Sequence, residues 1–160
     1  MNIRLQRFAL IAEIISALAI VISLIFVGTQ VKQSAVQTEL NTKTIQLTMA
    51  GAYLENINSV EQLLVAHPEL VSSIDKLQNG ETISSAEKIQ LSVYLRSIFR
   101  VWQSAFYQHE YSSLDQRFMN QVGETISGLM FLNAFKEHWK ESYNSYDPEF
   151  QEYVNNLIDE

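Results

Sequence analysis

Ile14-Ile15-Ser16-Ala17-Leu18-Ala19-Ile20-Val21-Ile22-Ser23-Leu24-Ile25-Phe26-Val27-Gly28-Thr29-Gln30-Val31 runs eighteen residues without a charge, and eleven of them are Ile, Leu, Val or Phe. Wound as a helix at about 1.5 Å per residue, the stretch reaches roughly 27 Å, close to the hydrocarbon thickness of a bilayer. Each central aliphatic or Phe side chain favours insertion by roughly 0.3 to 0.6 kcal/mol, so the set contributes several kcal/mol. Ser16, Ser23 and Gly28 oppose this only mildly. Glu13 sits at the edge, within reach of the headgroups, where a carboxylate costs far less than at the centre.

Two other readings compete with a membrane anchor. A cleaved signal peptide needs a shorter apolar core and small residues at the cleavage site. Cleavage after Gly28 puts Phe26 at the −3 position and cleavage after Ala35 puts Gln33 there, and both are unsuitable. A buried core helix usually carries polar residues along one face. The expectation is an uncleaved transmembrane helix over residues 8–31, behind a basic flank at residues 1–7 that holds Arg4 and Arg7.

Within the span Ala12, Ser16, Ala19 and Ser23 recur at spacings of four, three and four, which places four small residues on one face. Such a face lets a neighbouring backbone approach closely, so it is a candidate packing seam, most simply with a second copy of the chain. Arg4, Arg7 and the amino terminus precede the span, while Lys32 and Lys43, with Glu39 between them, follow it. By the positive-inside rule this tips the N-terminus towards the cytoplasm, by a margin of about one charge, and the larger domain to the outside.

Residues 32–160 hold nine Lys and Arg against seventeen Asp and Glu. That acidic domain is long enough to bury one modest core, and its charge disfavours nucleic acid as a partner. With no cysteine in the chain, disulfides, thiolate nucleophiles and cysteine metal sites are excluded.

Beyond the span, Val36, Leu40, Leu47, Leu54 and Ile57 return at near-helical spacing, with Ala50 and Tyr53 between them. No Gly or Pro interrupts residues 29–50, so the anchor helix is expected to continue into this region and to stop at His67, before Pro68. Pro68-Glu69 opens a short helix closed by Asn79-Gly80. Ser84-Ser85-Ala86-Glu87 is a capping box, followed by the apolar stripe Leu91, Leu95, Ile98, Trp102 and Phe106. Ser113-Leu114-Asp115-Gln116 is a weaker box, opening a helix expected to break around Gly123 to Gly128. Leu129, Leu132, Phe135 and Trp139 line a further amphipathic face, and Asp147-Pro148-Glu149 starts a final helix through Phe150, Val154 and Leu157. The fold expected is all-α: a membrane helix continuous with the first helix of a bundle of about five or six.

No residue is nominated as catalytic or metal-binding, and no cofactor is implied. His67, His109 and His138 fit no metal-ligand spacing and are expected at the surface or at helix ends. Phosphate loops and nucleophile elbows are absent from the sequence. Arg96 and Arg100, one turn apart, suit either ion pairs to acids on a neighbouring helix or the clamping of an anion, and in so acidic a chain ion pairing is the cheaper explanation. Trp102 and Phe106, with Trp139, read as core, the alternative being a pocket shared with the two arginines.

The run Glu13 to Gln33 resembles the opening of a family of small single-span bacterial membrane proteins of unknown function, whose pattern is E-I-I-G-A-I-A-V-V-I-S-L-I-Y-V-G-x-Q-I-R-Q. Its exit, Gln30-Val31-Lys32-Gln33, is the most specific part, and Ser16 stands where the family often has Gly. Similar later elements are Tyr107, Glu110-Tyr111, Leu114-Asp115, Trp139, Tyr146-Asp147-Pro148-Glu149-Phe150 and Tyr153-Val154. The resemblance implies a helical protein anchored in the bacterial inner membrane and carries no activity. The function expected is a non-enzymatic scaffold or interaction module with a protein partner. Alternatives are a small-molecule or lipid sensor with an aromatic pocket, and an enzyme whose site forms only in the fold.

Overall fold

The computed structural model describes residues 3–111 and 114–159, and among these it contains six α-helices, one 3-10 turn and no strand. The helices are α1 (Ile3–Ala66), α2 (Pro68–Gln78), α3 (Ser85–Glu110), α4 (Gln116–Leu129), α5 (Asn133–Ser142) and α6 (Pro148–Asp159), with the turn Tyr143–Ser145 after α5. The chain divides into two units, one ending at Thr44 and one starting at Ile45.

The first unit is helix alone. Every side chain from Gln6 to Ile45 is exposed, including Ile20, Ile22, Leu24, Ile25 and Phe26. Among the described residues this is the one helix long and apolar enough to cross a membrane. Its hydroxyls turn back on their own backbone: Ser16 Oγ donates to the Ala12 carbonyl at 2.8 Å and Thr29 Oγ1 to the Phe26 carbonyl at 2.7 Å. After Val31 the surface turns polar, with Thr38 and Thr42 bonded back in the same way and Lys43 paired to Glu39.

The second unit is built around α3, which packs against α2, α4 and α5, while α4 also contacts α6 and α2 contacts α5. Its stripe Leu91, Leu95, Ile98, Trp102 and Phe106 is buried throughout, as the four-three-four-four spacing requires. Phe99, fully buried, is the hub of an aromatic core. Its ring lies 4.9 Å from Trp102, 5.3 Å from Trp139 and 5.5 Å from Tyr146, in edge-on, stacked and tilted arrangements.

Local signals set the helix ends. Ser84 Oγ accepts from Glu87 N at 3.3 Å while Glu87 Oε2 accepts from Ser84 N at 2.7 Å, completing the expected box. Lys76 joins it at 2.8 Å, and these contacts hold the Glu87 carboxyl down at about 2. Gly80 closes α2 at φ +75°, a conformation that costs a side chain but not glycine. Asp147 Oδ1 caps α6 through Glu149 N. α5 has no side-chain cap of its own, and Gln78 from α2 instead accepts from Asn133 N at 2.9 Å.

Three expectations change, and a fourth falls on a residue outside the described ones. The Val36–Ile57 stripe is split, because Val36, Leu40, Leu47 and Leu54 are exposed and only Met49, Ala50, Tyr53, Ile57, Val60 and Leu64 meet the core. Periodicity marks a face, but burial needs an element opposite it. The helix expected to break around Gly123 to Gly128 does not; α4 runs on to Leu129, since an interior glycine costs about 1 kcal/mol without removing a hydrogen bond. Gly123 is instead a point of close approach, where a Cβ would lie 3.0 Å from Tyr153 Oη. Leu129 and Leu132 lie at or beyond helix ends, so Phe135 and Trp139 alone make the buried face of α5 within that set. Finally, Ser113 lies outside the described residues, and α4 is capped by Asp115, whose Oδ1 accepts from Arg117 N at 2.9 Å.

Candidate functional site

The outer side of α3 opposes the end of α5 and the turn that follows it. Arg96, Arg100 and Gln103 form one wall of a hollow of about 370 Å³; Glu141, Ser142, Ser145 and Tyr146 form the other. Spacing of four puts both guanidinium groups on one helical face, where like charges oppose folding by a few tenths of a kcal/mol. Ion pairing was the cheaper reading, and it does not hold among the described residues: neither arginine has a carboxylate within salt-bridge distance, and both are exposed. The nearest acid in the wall, Glu141, is held by Lys88 at 2.8 Å.

The carbonyls of Ser142, Tyr143 and Tyr146, at the end of α5 and in the turn beyond it, would repel an anion but are engaged. Ser145 Oγ donates to the Ser142 carbonyl at 2.6 Å, and Gln151 Nε2 donates to the carbonyls of Tyr143 and Tyr146 at 3.0 and 2.8 Å. Behind the hollow His138 Nε2 lies 3.0 Å from the Tyr146 hydroxyl. His138 is 5% exposed, which corrects the expectation of a surface or helix-end residue. Its position on the inner side of α5 is decided by packing against the Phe99 ring, at 5.3 Å. Burial, aided by the charge of Arg96, lowers its pKa below the ordinary histidine value, while Glu141 acts in the opposite sense. Burial also pushes the Tyr146 phenol up to about 12 against the pull of both arginines.

The five residues considered for a shared pocket do not converge. Arg96 and Arg100 line the hollow, whereas Trp102, Phe106 and Trp139 belong to the core, the last with Nε1 donating to Asn155 Oδ1 at 3.2 Å. An apolar stripe at helical spacing has been filled by neighbouring rings, and Phe106 borders a separate hollow with His109 and Tyr153. Ala12, Ser16, Ala19 and Ser23 lie exposed on α1.

The remaining histidines are apart from this site. His67 Nδ1 lies 2.9 Å from Glu69 Oε1, and His109 Nδ1 lies 3.0 Å from the Leu114 carbonyl. No group of three His, Asp or Glu capable of holding a metal occurs among the described residues. Sequence reasoning found Arg96 and Arg100 but missed Ser142, Ser145 and Tyr146. The available signal was the hydroxyl-rich run Ser142-Tyr143-Asn144-Ser145-Tyr146, directly before the Asp147-Pro148 helix start.

Compared with known proteins, the chain matches no family model, no curated protein and no solved structure.

Proposed function

We propose that the protein is a single-span membrane protein whose acidic helical bundle acts as an interaction module on the bacterial inner membrane. The observation that carries this reading is the charge-free run Ile14–Val31, with each side chain exposed. The core helix of a soluble protein is covered by its own chain, and this run has no cover among the described residues. Its backbone groups are satisfied within the helix, and the hydroxyls of Ser16 and Thr29 donate to the carbonyls of Ala12 and Phe26, as hydrocarbon demands. Glu13 and Lys32 bracket the run at headgroup depth. The slight excess of positive charge ahead of it favours a cytoplasmic N-terminus.

The bundle itself supports an interaction role through surface it leaves apolar. Ile89 and Val93, one turn apart on α3, are 66% and 56% exposed and flank a groove of about 300 Å³ with Leu63 and Leu70. Exposed apolar patches of this kind mark contact surfaces more often than isolated exposed side chains do.

The test is fractionation of cells expressing the full chain. Wild type is expected in the membrane pellet and to resist alkaline extraction, whereas Leu24→Arg shifts protein to the soluble fraction, since a central arginine costs about 2.5 to 3.5 kcal/mol on insertion scales. Wild-type protein extracted at alkaline pH, or recovered shortened by a cleavage after the span, refutes the anchor. Protease accessibility in intact against opened cells assigns the side: a bundle cut only in opened cells refutes the cytoplasmic N-terminus.

A further inference from the structure

We propose that the hollow between α3 and the end of α5 is a binding site for a phosphate group, with Arg96 and Arg100 as its two ligating cations. It does not depend on the membrane reading. The starting point is an imbalance: in a chain with eighteen acids and eleven basic residues, two arginines one turn apart have no carboxylate partner among the described residues. Unrelieved like charge on one helical face is costly without a ligand and favourable with an anion between the two groups.

The shape of the donor set selects the anion. A carboxylate is satisfied by a single guanidinium fork, which meets both of its oxygens. Two forks on one wall, with the Ser142 hydroxyl on the other, offer donors in more directions than a planar two-oxygen group accepts. A tetrahedral oxyanion with three free oxygens matches them. At about 370 Å³ the hollow holds such a group with a small organic remainder.

The local field agrees. The Ser142 carbonyl at the end of α5 is occupied by Ser145, the carbonyls of Tyr143 and Tyr146 beyond it by Gln151, and Glu141 is paired with Lys88 at 2.8 Å. The charges of both arginines reach the Tyr146 phenol in the same wall, and Arg96 also reaches His138 behind it. Phosphate of this kind has two sources, a soluble phosphate monoester or the headgroup of an anionic phospholipid, and both present the same chemistry to the site.

The experiment uses the full chain in neutral detergent micelles at constant ionic strength. One arm titrates inorganic phosphate by calorimetry, with acetate as the control anion; the other dopes the micelles with phosphatidylglycerol or, as control, phosphatidylcholine and follows Trp fluorescence. Saturable binding in either arm is expected, weakened at least about tenfold in Arg96→Gln and in Arg100→Gln, as removal of a charge-assisted contact implies. Arg100→Lys, which keeps the charge without the fork, is expected to fall between. A response to phosphate assigns a soluble source, and one to phosphatidylglycerol alone assigns a lipid. No saturable response in both arms, acetate binding as tightly as phosphate, or a response that both Gln variants retain overturns the site. Both arginines are exposed and have no carboxylate partner among the described residues, so unchanged thermal unfolding of the variants separates lost binding from lost folding.

Discussion

Replacing Phe99 with Leu tests the central claim about the core, that one ring on α3 joins α5 and the chain leading to α6. Phe99 is 0% exposed, and its ring meets those of Trp102, Phe135, His138, Trp139 and Tyr146 at 4.9 to 6.3 Å. Leu has three fewer side-chain carbons, which at about 0.8 kcal/mol per buried carbon loses about 2 kcal/mol. Each aromatic pair adds about 0.5 to 1.5 kcal/mol beyond area, though five pairs around one ring do not sum. The expected cost is therefore about 2 to 3 kcal/mol, or a fall in Tm of about 10 °C for a unit of this size. Phe99→Ala lies at about 4 to 5 kcal/mol, near the whole stability of a typical domain, which makes Leu the measurable variant. The chain has two tryptophans, and both contact this ring. Their fluorescence in urea or on heating thus reports the second unit, which begins at Ile45. Phe131→Leu, at a residue 75% exposed, is the control and is expected to change stability by less than about 0.5 kcal/mol. A cost below about 0.5 kcal/mol for Phe99→Leu, or equal costs at the two positions, refutes the assignment of Phe99 as the hub.

Three further outcomes follow from local geometry. His138 has a lowered folded pKa, so on acidification the unfolded chain takes up its proton first; stability is full above about pH 6.5 and is lost as pH falls below it. Tryptophan-monitored melts between pH 7.5 and 5 should show this loss, reduced in Arg96→Gln because Arg96 is one of its causes, and an equal loss in that variant counts against the coupling. Ser84→Ala removes the capping box at α3, costs about 1 kcal/mol and moves the Glu87 carboxyl up from about 2, which carbon NMR of the carboxyl reads directly. Gly128→Ala meets no atom within 4 Å and should stabilise α4 by up to about 1 kcal/mol, whereas Gly123→Val must displace Tyr153 and Leu157 and destabilises it; denaturant midpoints of the two variants should move in opposite directions.

Much of the fold can be read along the chain because its signals are local. A capping box, a proline at a first helical turn or a glycine at positive φ acts within four or five residues, and those at Ser84, Pro68, Pro148 and Gly80 all appear where the sequence places them. The stripe of α3 is similarly legible, since a spacing of four, three and four can bury only one face. Legibility fails where the answer depends on a second element. Val36 and Leu40 share the periodicity of Tyr53 and Ile57, and only the presence of packed helices beside the latter pair distinguishes them. Gln78 capping α5 across a separation of 55 residues has no signature in the sequence around either end.

The candidate site divides along the same line. By itself the sequence determined an all-helical chain, an apolar run long enough to cross a bilayer and two arginines on one helical face, because composition and periodicity are properties of the chain alone. Whether those arginines had partners was undetermined, as ion pairing depends on which acids other helices bring within about 4 Å. The tertiary structure decided that Glu141 is engaged by Lys88, that Ser142, Ser145 and Tyr146 face the arginines, and that His138 lies inside. It also decided that Trp102, Phe106 and Trp139 are buried in the core. Close packing is a property of several elements at once, and no single stretch of this sequence carries it.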